Sequence, residues 1–214
     1  CDSGIPCFTV NATCLSFLVA VDVAAALLQR PDGEINTVLV CSAEVVNHGV
    51  DPFDAHTAPL FGEGAAAAIL SRTDDGAMAD GATSSSAIEA FLMRTFSSGR
   101  DLTAFRQCGS SLPPYSRDES VDPRAPNPAL DYASAHFEMR GEETVRFVDE
   151  RMPKLLGGRR PGLSRGLGDI DWVVPHQASG LALDSLSIYG WRQERVLRTL
   201  PHLGHRLAAS IPMT

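Results

Sequence analysis

Cys14 is the residue whose type and position best suit a nucleophile. It follows Asn11 and Thr13, both good helix-capping types, and precedes Phe17, Leu18, Val21, Ala24, Ala25 and Leu28, which recur at helical spacing. A cysteine in the first turn of a helix faces unpaired backbone N–H groups and the positive end of the helix dipole, which favour the thiolate. A cysteine in an apolar run is otherwise a packing residue, so the reading needs a partner. His176 is one, within Val173-Val174-Pro175-His176-Gln177-Ala178. The ends of strands in α/β sheets are where sites assemble.

These side chains need elements to carry them. Ala12 to Leu28 reads as a helix buried on all sides, with Asp22 inside it and uninterrupted apolar parts too short to cross a bilayer. Ile35 to Cys41 and Ala65 to Leu70 read as buried strands, the second leaving a Gly62-Glu63-Gly64 turn. Asp74 to Ser86 is small, polar and Gly/Ala/Ser-rich, which places a boundary there and predicts domains at 1–86 and 87–214. Ala87 to Thr95 should restart as a strand. Ser97 to His136 carries Pro113, Pro114, Pro123, Pro126 and Pro128 and predicts a long excursion of little regular structure. Val145, Val148, Met152 and Leu155 mark an amphipathic helix, Ile170 to Val174 a strand, and Ser179 to Tyr189 a further helix. Alternation of strand and helix predicts a layered α/β fold with a largely parallel sheet.

The 214 residues include 44% hydrophobic side chains and carry a formal charge of −8, which excludes disorder as the main state. No Lys/Arg run offers a basic patch, so neither nucleic acid nor membrane is an expected partner. The five cysteines, Cys1, Cys7, Cys14, Cys41 and Cys108, are odd in number and scattered, unlike a disulfide framework, and predict a cytoplasmic setting. The chain opens without methionine and stops at Pro212-Met213-Thr214 with no closing element, as expected of a fragment. Gly62-Glu63-Gly64-Ala65-Ala66-Ala67 precedes a strand, where a dinucleotide fingerprint needs a helix. His202 and His205, three apart in a Gly/Pro loop without a nearby cysteine or carboxylate pair, make a poor zinc site, and no Gly-x-Ser-x-Gly elbow is present. Neither a metal nor a resident cofactor is predicted.

Taken in order, four segments resemble the condensing enzymes of the thiolase superfamily, most closely β-ketoacyl-ACP synthase III. They are Val10-Asn11-Ala12-Thr13-Cys14, Leu60-Phe61-Gly62-Glu63-Gly64-Ala65-Ala66, Val174-Pro175-His176-Gln177-Ala178 and Gly204-His205-Arg206-Leu207-Ala208-Ala209-Ser210-Ile211-Pro212, with Glu138-Met139-Arg140-Gly141 as a weaker match. The resemblance implies a five-layered αβαβα sandwich of two similar halves, here incomplete, and assembly as a homodimer. It also implies that Cys14 takes an acyl group from acyl-CoA and that malonyl-ACP then decarboxylates and attacks it. CoA and carrier-protein phosphopantetheine thioesters would be substrates, not cofactors. His176 matches the family's histidine donor. Gly141, Arg146, Ala178 and Ser179 fall where substrate contacts are implied, and Arg146 is equally readable as an exposed helix charge.

This sequence departs from the pattern at His205, where the family carries asparagine. A neutral imidazole has one N–H and can donate as an amide does, so decarboxylative condensation is one expectation. Transfer of the acyl group to a non-malonyl acceptor in secondary metabolism is another, and a non-catalytic partner subunit is a third. Ala55 stands where an arginine often meets the CoA adenine, Ser179 where asparagine is common, and Leu181 where a basic residue is expected.

Overall fold

A computed structural model describes residues 4–46, 49–72, 86–105, 136–156 and 170–214. The chain forms two compact units, one of Cys1–Val45, Gly62–Leu92 and Arg159–Thr214 and the other of Val46–Phe61 and Met93–Gly158.

In the first unit, a 3-10 turn at Thr13–Leu15 leads into helix α1, Ser16–Leu28. Strand β1, Thr37–Glu44, and strand β2, Gly64–Ser71, lie where β-branched and small apolar runs predict them. They pair antiparallel from Thr37 opposite Ser71 to Glu44 opposite Gly64, not in the parallel arrangement expected. Both strands alternate between covered and exposed positions, with Leu39 and Ile69 paired on the exposed face, so they are half-buried rather than buried on both sides. Alpha-helix α1 likewise buries fully only Ala24 and Leu28, against the expectation of burial all round. It packs on β1 and on a short turn, Leu207–Ala209, which leaves the rest of its surface half-covered among the described residues.

Ile170 to Val174, expected as a strand, contributes only a parallel bridge from Val173 to Val196. Two bonds make it, Val173 N–H to Arg195 carbonyl and Leu197 N–H to Val173 carbonyl, each 2.9 Å. Pro175 has no N–H to extend the ladder. Helix α3, Gly180–Ser185, follows, and a 3-10 turn to Tyr189 ends at Gly190, whose φ of 90° suits glycine. Ala87 to Thr95 forms no strand. The short apolar run has no partner strand among the described residues.

In the second unit, strands β3, Thr103–Phe105, and β4, Phe137–Met139, pair antiparallel on either side of the proline-rich excursion. Helix α2, Gly141–Leu156, then follows, with Glu142 and Glu143 in its first turn and Lys154 in its last, each sign favourable to the helix dipole. Arg151 lies over the Phe147 ring at 3.6 Å. The predicted boundary segment falls almost wholly outside the described residues, as do Cys1 and Cys108.

Candidate active site

Cys14 sits in the Thr13–Leu15 turn, one step ahead of α1 rather than inside its first turn. Asn11 Oδ1 accepts the Thr13 N–H at 3.0 Å, and Ser16 Oγ accepts the Ala12 N–H while donating to the Thr13 carbonyl. These bonds hold Thr13 at φ 52°, a left-handed conformation that a β-branched residue adopts only under constraint. The thiolate expected at this position is not what the surroundings favour. Burial pushes the Cys14 thiol up, its own main-chain N–H lowers it, and the Glu44 carboxylate at the end of β1 raises it again. Cys14 therefore rests as a thiol, and a base would be needed to activate it.

Two imidazoles are at hand. One nitrogen of His176, one of His205 and the Cys14 sulfur all lie within 4.8 Å of one another. The two rings meet edge to face at 4.6 Å between centroids. Burial lowers both rings to about 4, His205 being lowered also by its neighbour His176, so both are neutral at pH 7. The site thus contains a half-buried thiol and two neutral imidazoles. Each imidazole carries one N–H and one lone pair.

The loop bearing His176 is tied down by Gln177, which is fully buried. Its side-chain N–H groups donate to the Pro175 and Leu197 carbonyls at 3.0 and 3.1 Å, and its oxygen accepts the Thr199 and Leu200 N–H groups at 3.0 and 3.1 Å. One amide thereby links the His176 loop to the start of helix α4, Leu200–Leu203, which ends at Gly204 and delivers His205. Sequence reading quoted Gln177 only as part of a motif. Its signal was a polar, two-way hydrogen-bonding side chain inside an apolar run.

His205 is held from three sides. Its carbonyl accepts the Gly62 N–H at 3.0 Å. A Cβ on Gly62 would lie 2.1 Å from the Leu203 carbonyl oxygen, so only glycine permits this approach. The Leu207–Ala209 turn, with Leu207 at φ 45° and Ala208 and Ala209 buried, packs against β1, β2, α1 and the Cys14 turn. Glu44 accepts the Ala208 N–H. Within the ring, Nδ1 lies 3.5 Å from the buried Ser210 Oγ, and a hydrogen bond to the Gln177 main chain raises the basicity of His205. A bond of that sign runs from ring N–H to main-chain carbonyl, which leaves the other ring nitrogen as an acceptor.

Sequence reading also gave no role to Arg206, whose side chain is fully buried. One terminal nitrogen donates to Thr199 Oγ1 at 2.7 Å, while Nε and Nη1 have no hydrogen-bond partner among the described residues. Burial lowers its pKa from the ordinary value.

The other residues named from the sequence are placed as follows. Ser179 caps α3, accepting the Ala182 N–H at 3.2 Å, and Ala178 is half-buried beside it. Gly141 and Arg146 belong to the second unit, at the start and on the exposed surface of α2. Ala55 is exposed in the same unit, beside Asp54, whose carboxylate accepts from His56 N–H and Thr57 Oγ1 and is held below its ordinary pKa.

The fold is of the thiolase-like α/β kind found in solved structures of 3-oxoacyl-[acyl-carrier-protein] synthase III. A crystal structure of 3-oxoacyl-[acyl-carrier-protein] synthase III from Aquifex aeolicus matches 99% of this chain and 57% of its own, with a TM-score of 0.71 and 24% identity. Sequence profiles of 3-oxoacyl-[acyl-carrier-protein] synthase III and of its C-terminal part match residues 8–87 and 164–214, together more than half of the chain. The chain belongs to the 3-oxoacyl-[acyl-carrier-protein] synthase III family. It is 31% identical over 215 residues to an acetoacetyl-CoA synthase of Streptomyces sp., covering 99% of this chain and 58% of that protein. It is 30% identical over 210 residues to a β-ketoacyl-[acyl-carrier-protein] synthase III of Cereibacter sphaeroides, covering 96% and 56%. The chain thus spans between half and two thirds of the length of these relatives.

Proposed function

We propose that the protein is an acyl-thioester condensing enzyme in which Cys14 takes an acyl group from acyl-CoA and passes it to the carbanion formed by decarboxylation of malonyl-ACP. The observation that carries this reading is the convergence, within 4.8 Å, of the Cys14 sulfur with a nitrogen of each of two neutral imidazoles, His205 buried and His176 half-buried. In the first step a ring nitrogen accepts the thiol proton, sulfur attacks the thioester carbonyl, and CoA leaves as the thiol with that proton. Malonyl thioester then loses carbon dioxide, its enolate attacks the acyl carbonyl, and Cys14 departs as the thiolate. Splitting the transfer through a covalent intermediate replaces one difficult step by two. An imidazole N–H aimed at the enolate oxygen stabilises charge that develops only after carbon dioxide leaves.

Carrier protein as partner, assembly as a homodimer and a cytoplasmic setting belong to the same proposal. Exposed Arg146 offers a contact for an acidic carrier surface. Among the described residues Cys7, Cys14 and Cys41 are free, and no helix is long and apolar enough to cross a membrane.

One observation favours a second reading. Burial holds His205 neutral at pH 7, so one of its ring nitrogens can act as a base. A base there suits an acceptor hydroxyl or amine better than it suits an enolate, so acyl transfer to a non-malonyl acceptor is the alternative. Intact-protein mass spectrometry of the full-length protein separates the two. Acyl-CoA should leave an acyl adduct that Cys14→Ala abolishes, and a malonyl-ACP chase should remove it with formation of β-ketoacyl-ACP. An adduct that survives the chase sinks condensation in favour of another acceptor. No adduct with any donor leaves only a non-catalytic partner.

A further inference from the structure

In the sequence His202 is the nearest histidine to His205, and the pair made a poor zinc site; in the folded chain, different ligands surround His205. Cys14, His176 and His205 converge from three distant parts of the chain, one sulfur and two nitrogens within 4.8 Å of one another. We propose that these residues form a three-ligand site for a thiophilic divalent cation, Zn2+, which captures the nucleophile reversibly.

The donor set is of the kind zinc takes. Catalytic zinc sites use three protein ligands drawn from Cys, His and carboxylate and leave a fourth position to water. In a tetrahedral site with Zn–S near 2.3 Å and Zn–N near 2.0 Å the ligand atoms lie about 3.5 Å apart, so side-chain closure of roughly 1 Å completes the geometry. The surroundings also fit. A metal-binding histidine ordinarily has a hydrogen-bonding partner beside its ring, and the buried Ser210 Oγ lies 3.5 Å from His205 Nδ1. His176 Nδ1 is buried and has no hydrogen-bond partner among the described residues.

Binding forms one S–Zn and two N–Zn bonds, displaces water from the aqueous ion and releases the Cys14 thiol proton to solvent, with no change of oxidation state. A captured thiolate cannot attack a thioester, so the metal-loaded protein is an off state. This inference does not rest on condensation, since the same capture would silence any acyl transfer through Cys14.

The test uses full-length protein stripped with a chelator and then titrated with Zn2+ while alkylation of Cys14 by iodoacetamide is followed by peptide mass. Zn2+ should slow that alkylation about tenfold or more, and His205→Asn should raise the Zn2+ concentration needed by about the same factor. Co2+ should give a thiolate-to-cobalt charge-transfer band that Cys14→Ala removes. Equal protection in the parent and His205→Asn overturns the site, as does absence of protection, or a cobalt band that survives Cys14→Ala and so reports another cysteine. Circular dichroism checks that His205→Asn folds, and His176→Asn makes the same comparison should it not. Acyl-adduct formation on metal-free protein is measured separately, so the two proposals fail independently.

Discussion

Gln177 fixes the His176 loop through four side-chain hydrogen bonds, whereas the His205 loop is fixed by backbone conformation and close approach. In the first loop the backbone is relaxed and a single buried amide supplies both donors and both acceptors. In the second, Gly204 and Leu207 have positive φ, Gly62 touches the Leu203 carbonyl, and small residues let the turn sink against the Cys14 turn. A bracket of hydrogen bonds is broken by removing polar atoms. A tightly approached turn is broken by adding any atom at all.

The largest effect should come from the bracket. Gln177→Leu keeps the volume but leaves two main-chain N–H groups and two carbonyls buried without partners, a cost of about 4 kcal/mol after partial rearrangement. Urea unfolding of the full-length protein measures it. A loss below about 1 kcal/mol would mean that water replaces the amide and that the bracket does not hold the loop.

Acid should come next, ring for ring, and it acts on both loops at once. Each ring has its folded-state pKa lowered from 6.5 to about 4. As pH falls through 6.5 the unfolded rings take up protons while the folded ones do not, so stability falls with pH until about 4 and is constant below. Each ring taken alone contributes roughly 3 kcal/mol to that loss. Unfolding midpoints at pH 7 and pH 4.5 should differ strongly, and His176→Asn or His205→Asn should flatten the dependence. An unchanged slope in both variants would place the acid sensitivity elsewhere.

Gly62→Ala probes the second loop. Its Cβ would meet backbone oxygen, which cannot rotate away, so a loss of about 2 kcal/mol is expected. Gly180→Ala is the control, since nothing lies within 4 Å of its Cβ, and alanine there should stabilise by about 0.5 kcal/mol. If the two substitutions cost the same, the His205 loop is looser than its contacts imply.

These contrasts also separate what was legible in the sequence from what was not. Cys14, His176 and His205 could be named because each belongs to a local motif whose chemistry depends on residue type, and β1, β2 and α2 because their periodicity is local. The antiparallel register of β1 with β2 was not legible, since strand pairing is decided by groups many residues apart. Ala87 to Thr95 has the composition of a strand and finds no partner strand among the described residues. The thiolate expected for Cys14 failed for a related reason: the helix-end argument counts local dipoles, while burial and Glu44 come from the rest of the fold. Gln177 escaped notice because its hydrogen bonds reach positions about 20 residues along the chain.

The smallest effect is expected at Thr13, where strain and function are adjacent. Left-handed backbone costs a β-branched residue about 1–2 kcal/mol. Thr13→Gly removes that cost, loses the exposed Thr13 Oγ1 bond to the Ala12 carbonyl and adds chain entropy to the unfolded state, for a net gain of about 0.5 kcal/mol. The substitution does not touch Cys14 itself, so the rate of Cys14 acylation reads the turn and not the chemistry of the thiol. A more stable protein that acylates more slowly would mean that threonine at φ 52° holds the sulfur toward the two rings. A more stable protein with unchanged acylation would assign the placement of Cys14 wholly to the Leu207–Ala209 turn packed against it, and the comparison between the two histidine loops would then extend to the nucleophile.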